Sequence, residues 1–124
     1  MTTRALTADE DRLLRFLLTN MQPEAVQLLP HLDGAQVVVS DDPEIWLDIE
    51  VRPDAVPVDL PNKPIDMRAT VVSPDGEVQG EVFVWVIDGR LSSLQQAVYS
   101  DDRPTAMPDP GSIRVEPDPP TVYC

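Results

Sequence analysis

An Asp-Gly pair, Asp88-Gly89, stands between two apolar-rich stretches, Glu77–Ile87 and Leu91–Tyr99. Asp-Gly suits a type I′ turn, whose two central residues both need positive φ and whose twist matches that of the flanking strands. The chain must therefore fold back on itself as a β-hairpin. A second turn, Ser73-Pro74-Asp75-Gly76, precedes it and uses residues that each favour reversal for their own reason. Before that turn, Ile65–Val72 alternates, with Ile65, Met67, Ala69 and Val71 on one side. Leu91, Leu94 and Val98 also fit a helical spacing; the Asp-Gly turn favours the strand.

Upstream, Thr7-Ala8-Asp9-Glu10 fits a capping box, in which Thr7 caps the helix and Glu10 reaches back to its amide. Asp9, Glu10 and Asp11 suit the positive end of a helix dipole. Leu13, Leu14, Leu17 and Leu18 then form one helical face. The first residues are expected to lead straight into this helix. Pro23 suits the first position of a second, short helix that carries Val26, Leu28 and Leu29 and stops near Pro30. Ala35–Ser40 reads as a short strand. In Glu44–Val51, Ile45, Leu47, Ile49 and Val51 alternate with polar positions. Arg52–Pro64 has four prolines in 13 residues and reads as a loop.

The fold class that follows is α+β: two N-terminal helices packed on one face of a four- to five-stranded antiparallel sheet. Residues 1–100 form this domain. Residues 101–124, with six prolines and five acids, form an extended or partly disordered tail with a short strand at Ile113–Val115.

Turn geometry assigns register, and register assigns faces. A two-residue loop at Asp88-Gly89 sets Val86 opposite Leu91, Val84 opposite Ser93 and Gly80 opposite Ala97. A four-residue loop at Ser73–Gly76 sets Val71 opposite Val78, Met67 opposite Val82 and Ile65 opposite Val84. One face is then aliphatic and seats the leucine stripe of the helix. The other is mixed. Arg68 falls opposite Glu81, while Phe83, Trp85, Ile87 and Leu94 gather towards one end. Trp46 sits on the polar phase of its own strand beside Asp48 and Glu50. The outer face of a half-covered antiparallel sheet is ordinarily polar. An aromatic patch rimmed with acids there is the mark of an interaction surface. The alternatives are a homodimer face and a tail that folds back, with Met107 and Ile113 over Trp85.

Charge narrows the function classes. With 22 acidic and 9 basic residues among 124, the formal charge is −13. Phosphate contacts need Lys and Arg, so a nucleic-acid binder is excluded. No apolar run approaches the ~20 residues of a membrane span. The absence of an apolar leader core points to the cytoplasm. Cys124 is alone and so forms no disulfide within the chain. His31, the single histidine, makes no zinc site alone and reads as a surface or capping residue. No phosphate-binding loop and no Gly-x-Ser-x-Gly occurs. Asp41, Asp42, Glu44, Asp48 and Glu50 lack the spacing of a calcium loop. No metal and no cofactor are expected.

The hairpin residues Val84-Trp85-Val86-Ile87-Asp88-Gly89-Arg90-Leu91-Ser92-Ser93-Leu94, with Ile45–Val51 before them and Tyr99 and Pro108-Asp109-Pro110 after, carry a resemblance. They resemble a family of small acidic bacterial proteins of unknown function, over roughly residues 7–115. The resemblance implies an N-terminal helix region, a sheet and a strand–Asp-Gly-Arg-Leu–strand hairpin, and lends no catalytic residues. In size, charge and α+β plan the chain is also similar to immunity proteins of bacterial toxin systems and to acidic secretion chaperones. Its Pro-rich segments depart from the compact chaperone plan.

The expectation is a non-catalytic protein-binding domain, an immunity-type inhibitor in its concrete form. Its acids would steer a basic partner. Trp46, Phe83, Trp85, Ile87, Leu94, Asp48 and Glu50 would form the contact. The other readings are a self-contained or homodimeric structural domain, and a small hydrolase using Asp48 and Glu50 as a carboxylate pair.

Overall fold

The computed structural model describes residues 2–21, 23–41, 45–65, 67–99 and 107–117. Helix α1 (Ala8–Asn20) opens on the expected cap. The Thr7 hydroxyl accepts from the Glu10 N–H at 3.1 Å, and Glu10 Oε1 accepts from the Thr7 N–H at 2.9 Å. Leu13, Leu14, Leu17 and Leu18 are fully buried. The residues before the helix do not run straight into it. Thr3–Ala5 is a strand, β1. Arg4, on this strand, holds Glu10 through two bonds of 2.7 and 2.8 Å.

The second helical segment, Pro23–Leu32, winds as a 3₁₀ helix. Its buried Ala25, Leu28 and His31 recur every three residues, the period at which side chains of a 3₁₀ helix align. Pro30 lies inside it and does not end it. The reversal comes at Asp33-Gly34, where Gly34 has φ +74°. The apolar stripe therefore departs from the expected one, and Val26 is exposed.

Among the described residues the sheet has eight antiparallel strands, not four or five. The further strands are β2 (Gln36–Val38), β3 (Trp46–Glu50), β4 (Lys63–Pro64), β5 (Met67–Val72), β6 (Val78–Ile87), β7 (Arg90–Val98) and β8 (Ile113–Pro117). Their order is β1-β2-β3-β7-β6-β5-β8, with β4 also on β6, in line with β5. Two of the further strands, β1 and β4, are three and two residues long, too short to show an alternating pattern, while β8 contains the short strand expected at Ile113–Val115 and runs on to Pro117. Leu91–Tyr99 is settled as strand β7. Asp88 and Gly89 have φ +53° and +74°, the type I′ values.

Two bulges change the expected register. Leu91 and Leu94 lie three apart and are both buried, which strict alternation forbids. The ladder accommodates them: Val86 pairs with Leu91, but Trp85 pairs with Ser93, leaving Ser92 as the extra residue. Beyond it Val84 faces Leu94 and Gly80 faces Val98. Leu94 thus joins the core, and its expected place beside Phe83 and Trp85 is corrected. Gly80 is needed there, since a Cβ on it would lie 2.2 Å from the Ala97 carbonyl oxygen.

On the other side of β6, β4 keeps the expected register, and the Ile65 N–H donates to the Val84 carbonyl at 2.9 Å. Strand β5 does not: Ala69 faces Val82 and Val71 faces Gly80, until an irregularity sets Val72 opposite Val78. The loop between β5 and β6 runs through Glu77, one residue longer than expected, closed by Ser73 N–H to the Glu77 carbonyl at 2.9 Å.

Helix α1 and the first 3₁₀ segment pack on one sheet face, over Val37, Leu47, Ile49, Val82, Val84, Val86, Leu91 and Leu94. Met107 and Ile113, expected over Trp85, lie on the core side instead: Met107 packs against the core and Ile113 is buried in it. Pro110–Ser112 makes one 3₁₀ turn, and β8 closes the sheet edge against β5. The rest of the expected tail, 101–106 and 118–124, falls outside the described residues. No helix among the described residues is long and apolar enough to cross a membrane.

Candidate functional site

Alternation along β3 and β6 decides which side chains reach the outer sheet face. On β3, Leu47 and Ile49 point to the core, so Trp46, Asp48 and Glu50 point away from it, all exposed. On β6, Val82, Val84 and Val86 are buried, so Glu81, Phe83, Trp85 and Ile87 take the outer side. Strand β7 lies between and joins the two rows. Gln95 is opposite both Trp46 and Phe83, and Ser93 is opposite both Asp48 and Trp85.

The two tryptophans meet across β7 with ring centroids 6.2 Å apart and planes tilted by 37°. Each indole N–H is tied down. Trp46 Nε1 donates to Asp48 Oδ1 at 2.7 Å, and Trp85 Nε1 donates to Gln95 Oε1 at 3.1 Å. Trp46 is 36% exposed and Ile87 40% exposed, while Phe83 and Trp85 are half-buried. The structure thus brings together Trp46, Phe83, Trp85, Ile87, Asp48 and Glu50, six of the seven residues expected at a contact surface. Leu94 is the exception.

The other end of this face is polar and internally paired. Arg68 Nε lies 3.7 Å from Glu81 Oε1, a diagonal contact, because Thr70 and not Arg68 is opposite Glu81. The Tyr99 phenol stands beside the Glu81 carboxylate. Desolvation at the sheet surface, then the neighbouring Glu81 carboxylate, hold the phenol above its ordinary pKa. Asp48 and Glu50 differ from Glu81: among the described residues neither is in an ion pair. Asp42 and Glu44, from the same acidic run, fall outside the described residues. Among those described, no three His, Cys, Asp or Glu side chains are placed to hold a metal.

His31 departs from its expected surface position. It is buried beneath the hairpin, 2% exposed. The Leu91 N–H donates to its Nδ1 at 3.3 Å, and its Nε2 lies 2.6 Å from the Val56 carbonyl. A backbone N–H can only donate, so Nδ1 is the acceptor and the ring proton sits on Nε2. This histidine is a clasp between the 3₁₀ segment, the start of β7 and the 52–58 loop. Beside it lies a cleft of about 340 Å³ between that segment and that loop, with Gln27, Asp33, Arg52 and Asp54 in its wall. Arg52 Nη2 is already spent on Asp54 at 3.0 Å. Nothing in the sequence marks His31 as buried, since its two partners are backbone groups 25 and 60 residues away.

Scans against protein-family models, curated proteins and solved structures gave no match to this chain.

Proposed function

We propose that this chain is a non-catalytic protein-binding domain that docks a basic protein on the outer face of its sheet. The observation that carries the reading is the Trp46–Trp85 pair, set among exposed acids on the face opposite the helices. Large aromatic side chains on a rigid strand surface lose little entropy on docking and are frequent energetic centres of interfaces. A formal charge of −13 speeds encounter with a positive surface and disfavours an acidic one. In its concrete form this is an immunity-type inhibitor that covers the basic surface of a toxin. The chemistry of a hydrolase fits less well. Asp48 and Glu50 are exposed neighbours on one strand, and one oxygen of Asp48 is engaged by an indole.

The test begins with affinity capture at low and moderate salt. Calorimetry on the purified partner follows, with wild type, Trp46→Ala and Phe83→Ala. Each substitution is expected to weaken binding by more than ~1 kcal/mol, and affinity should fall as salt rises. Equal affinity in both variants removes the site. Light scattering that shows a concentration-dependent dimer, itself abolished by Trp46→Ala, replaces the foreign partner with a second copy.

A further inference from the structure

The outer face is asymmetric in how its charges are used. Glu81 has a cation, Arg68, 3.7 Å away. The Arg90 guanidinium donates to the Pro53 carbonyl at 3.3 Å. Asp48 and Glu50 have no cation among the described residues, yet they continue the row that begins with Trp46. Trp46 in turn has its edge bonded to Asp48, which fixes the ring. An exposed indole, a carboxylate held at its rim and a second carboxylate two residues along the strand make a surface suited to a planar cation. Guanidinium stacks on an aromatic face and presents N–H groups in a fork that matches a carboxylate. An ammonium does the first less well and the second only as a point charge.

We infer that Trp46, Asp48 and Glu50 receive an arginine side chain presented by the docked protein. The assignment rests on the reading that the outer face is a protein-docking surface. The stack forms on Trp46, the ion pair on Asp48 and Glu50, and Trp85 walls the inner side of the ring. A second copy of this chain is the poorer occupant. It would bring another 13 net negative charges to a face already lined with unpaired acids.

The probe is acetyl-Gly-Arg-Gly-Arg-Gly-amide, with lysine and citrulline versions, titrated into the full chain while the indole N–H signals are followed by NMR. Both tryptophans of the chain stand in this patch, so these two signals report it alone. The arginine peptide is expected to shift both signals saturably, at least about fivefold more tightly than the lysine peptide. The citrulline peptide should leave them in place. Asp48→Asn should weaken the arginine peptide without altering the fold, and Trp46→Leu should abolish the Trp85 shift. Equal binding of arginine and citrulline peptides overturns the assignment. So do indole signals that stay still while amides near Asp9 and Asp11 move. If Trp46→Ala loses the protein partner while the indoles ignore the arginine peptide, docking stands and the arginine assignment falls. If the peptide binds the indoles but no variant of this face weakens the partner, docking falls.

Discussion

Replacing His31 by Leu removes the clasp beneath the hairpin while keeping an apolar side chain of similar size. Two backbone groups lose their partners. The Leu91 N–H is buried, and leaving such a donor unsatisfied costs about 1–3 kcal/mol. The Val56 carbonyl belongs to a residue 77% exposed, so water can replace Nε2, at a loss of about 0.5–1 kcal/mol. Together the substitution should cost about 1.5–4 kcal/mol. With a urea slope of about 1.5 kcal/mol/M for a domain this size, the unfolding midpoint falls by about 1–2.7 M. His31→Asn separates the two contributions. The side-chain amide of Asn ends where Nδ1 stands, so it can still accept from Leu91 but cannot reach Val56. It should recover more than half of the loss. A midpoint unchanged in His31→Leu, or equal losses in both variants, would refute the argument. The nitrogen chemical shifts of the imidazole check the premise independently, since the proton must be on Nε2.

Two other outcomes follow from the same geometry. The Arg4 guanidinium, bonded to both carboxylate oxygens, holds Glu10 below the ordinary glutamate range, and the Thr7 N–H bond adds to this. A carboxylate with a depressed folded pKa contributes stability that is complete above its unfolded value, about 4.3, and is lost as pH falls through the folded one. Glu10→Gln should therefore cost about 1 kcal/mol at pH 7 and almost nothing near pH 2, read from denaturation curves at the two pH values. Leu94→Ala should cost about 2–5 kcal/mol, because the bulge at Ser92 buries it completely. Trp46→Ala, on the opposite face of the same sheet, should cost under about 1.5 kcal/mol, so thermal melts separate core from surface.

Local chemistry made much of this fold readable. Asp88-Gly89 names its own turn type, and Thr7 with Glu10 names a helix start, because each depends on residues within three positions. Period-two alternation also placed Trp46, Asp48, Glu50, Phe83, Trp85 and Ile87 on one side of their strands. What escaped depends on distant groups. Leu91 and Leu94 are three apart, a spacing that suits a helix turn or a bulged strand equally; only the partner strand decides. The contact between Trp46 and Trp85 requires β3 to dock on β7, a pairing that no turn specifies. His31 is buried by two backbone groups, whose positions no side-chain pattern encodes. The short strands β1 and β4 owe their existence to a neighbour already in place, not to their own composition.

The central claim is that the outer face is an open aromatic surface in a negative field. Intrinsic fluorescence addresses it directly, because the chain has only the two tryptophans of that face. Quenching of the full chain is compared for acrylamide, caesium and iodide at matched ionic strength. The expected result is strong quenching by acrylamide and a larger effect of caesium, relative to its effect on free tryptophan, than of iodide. Asp48→Asn should narrow that difference. Tryptophans that resist all three quenchers in the native chain and yield to them only on unfolding would mean that the face is covered, and would contradict the account.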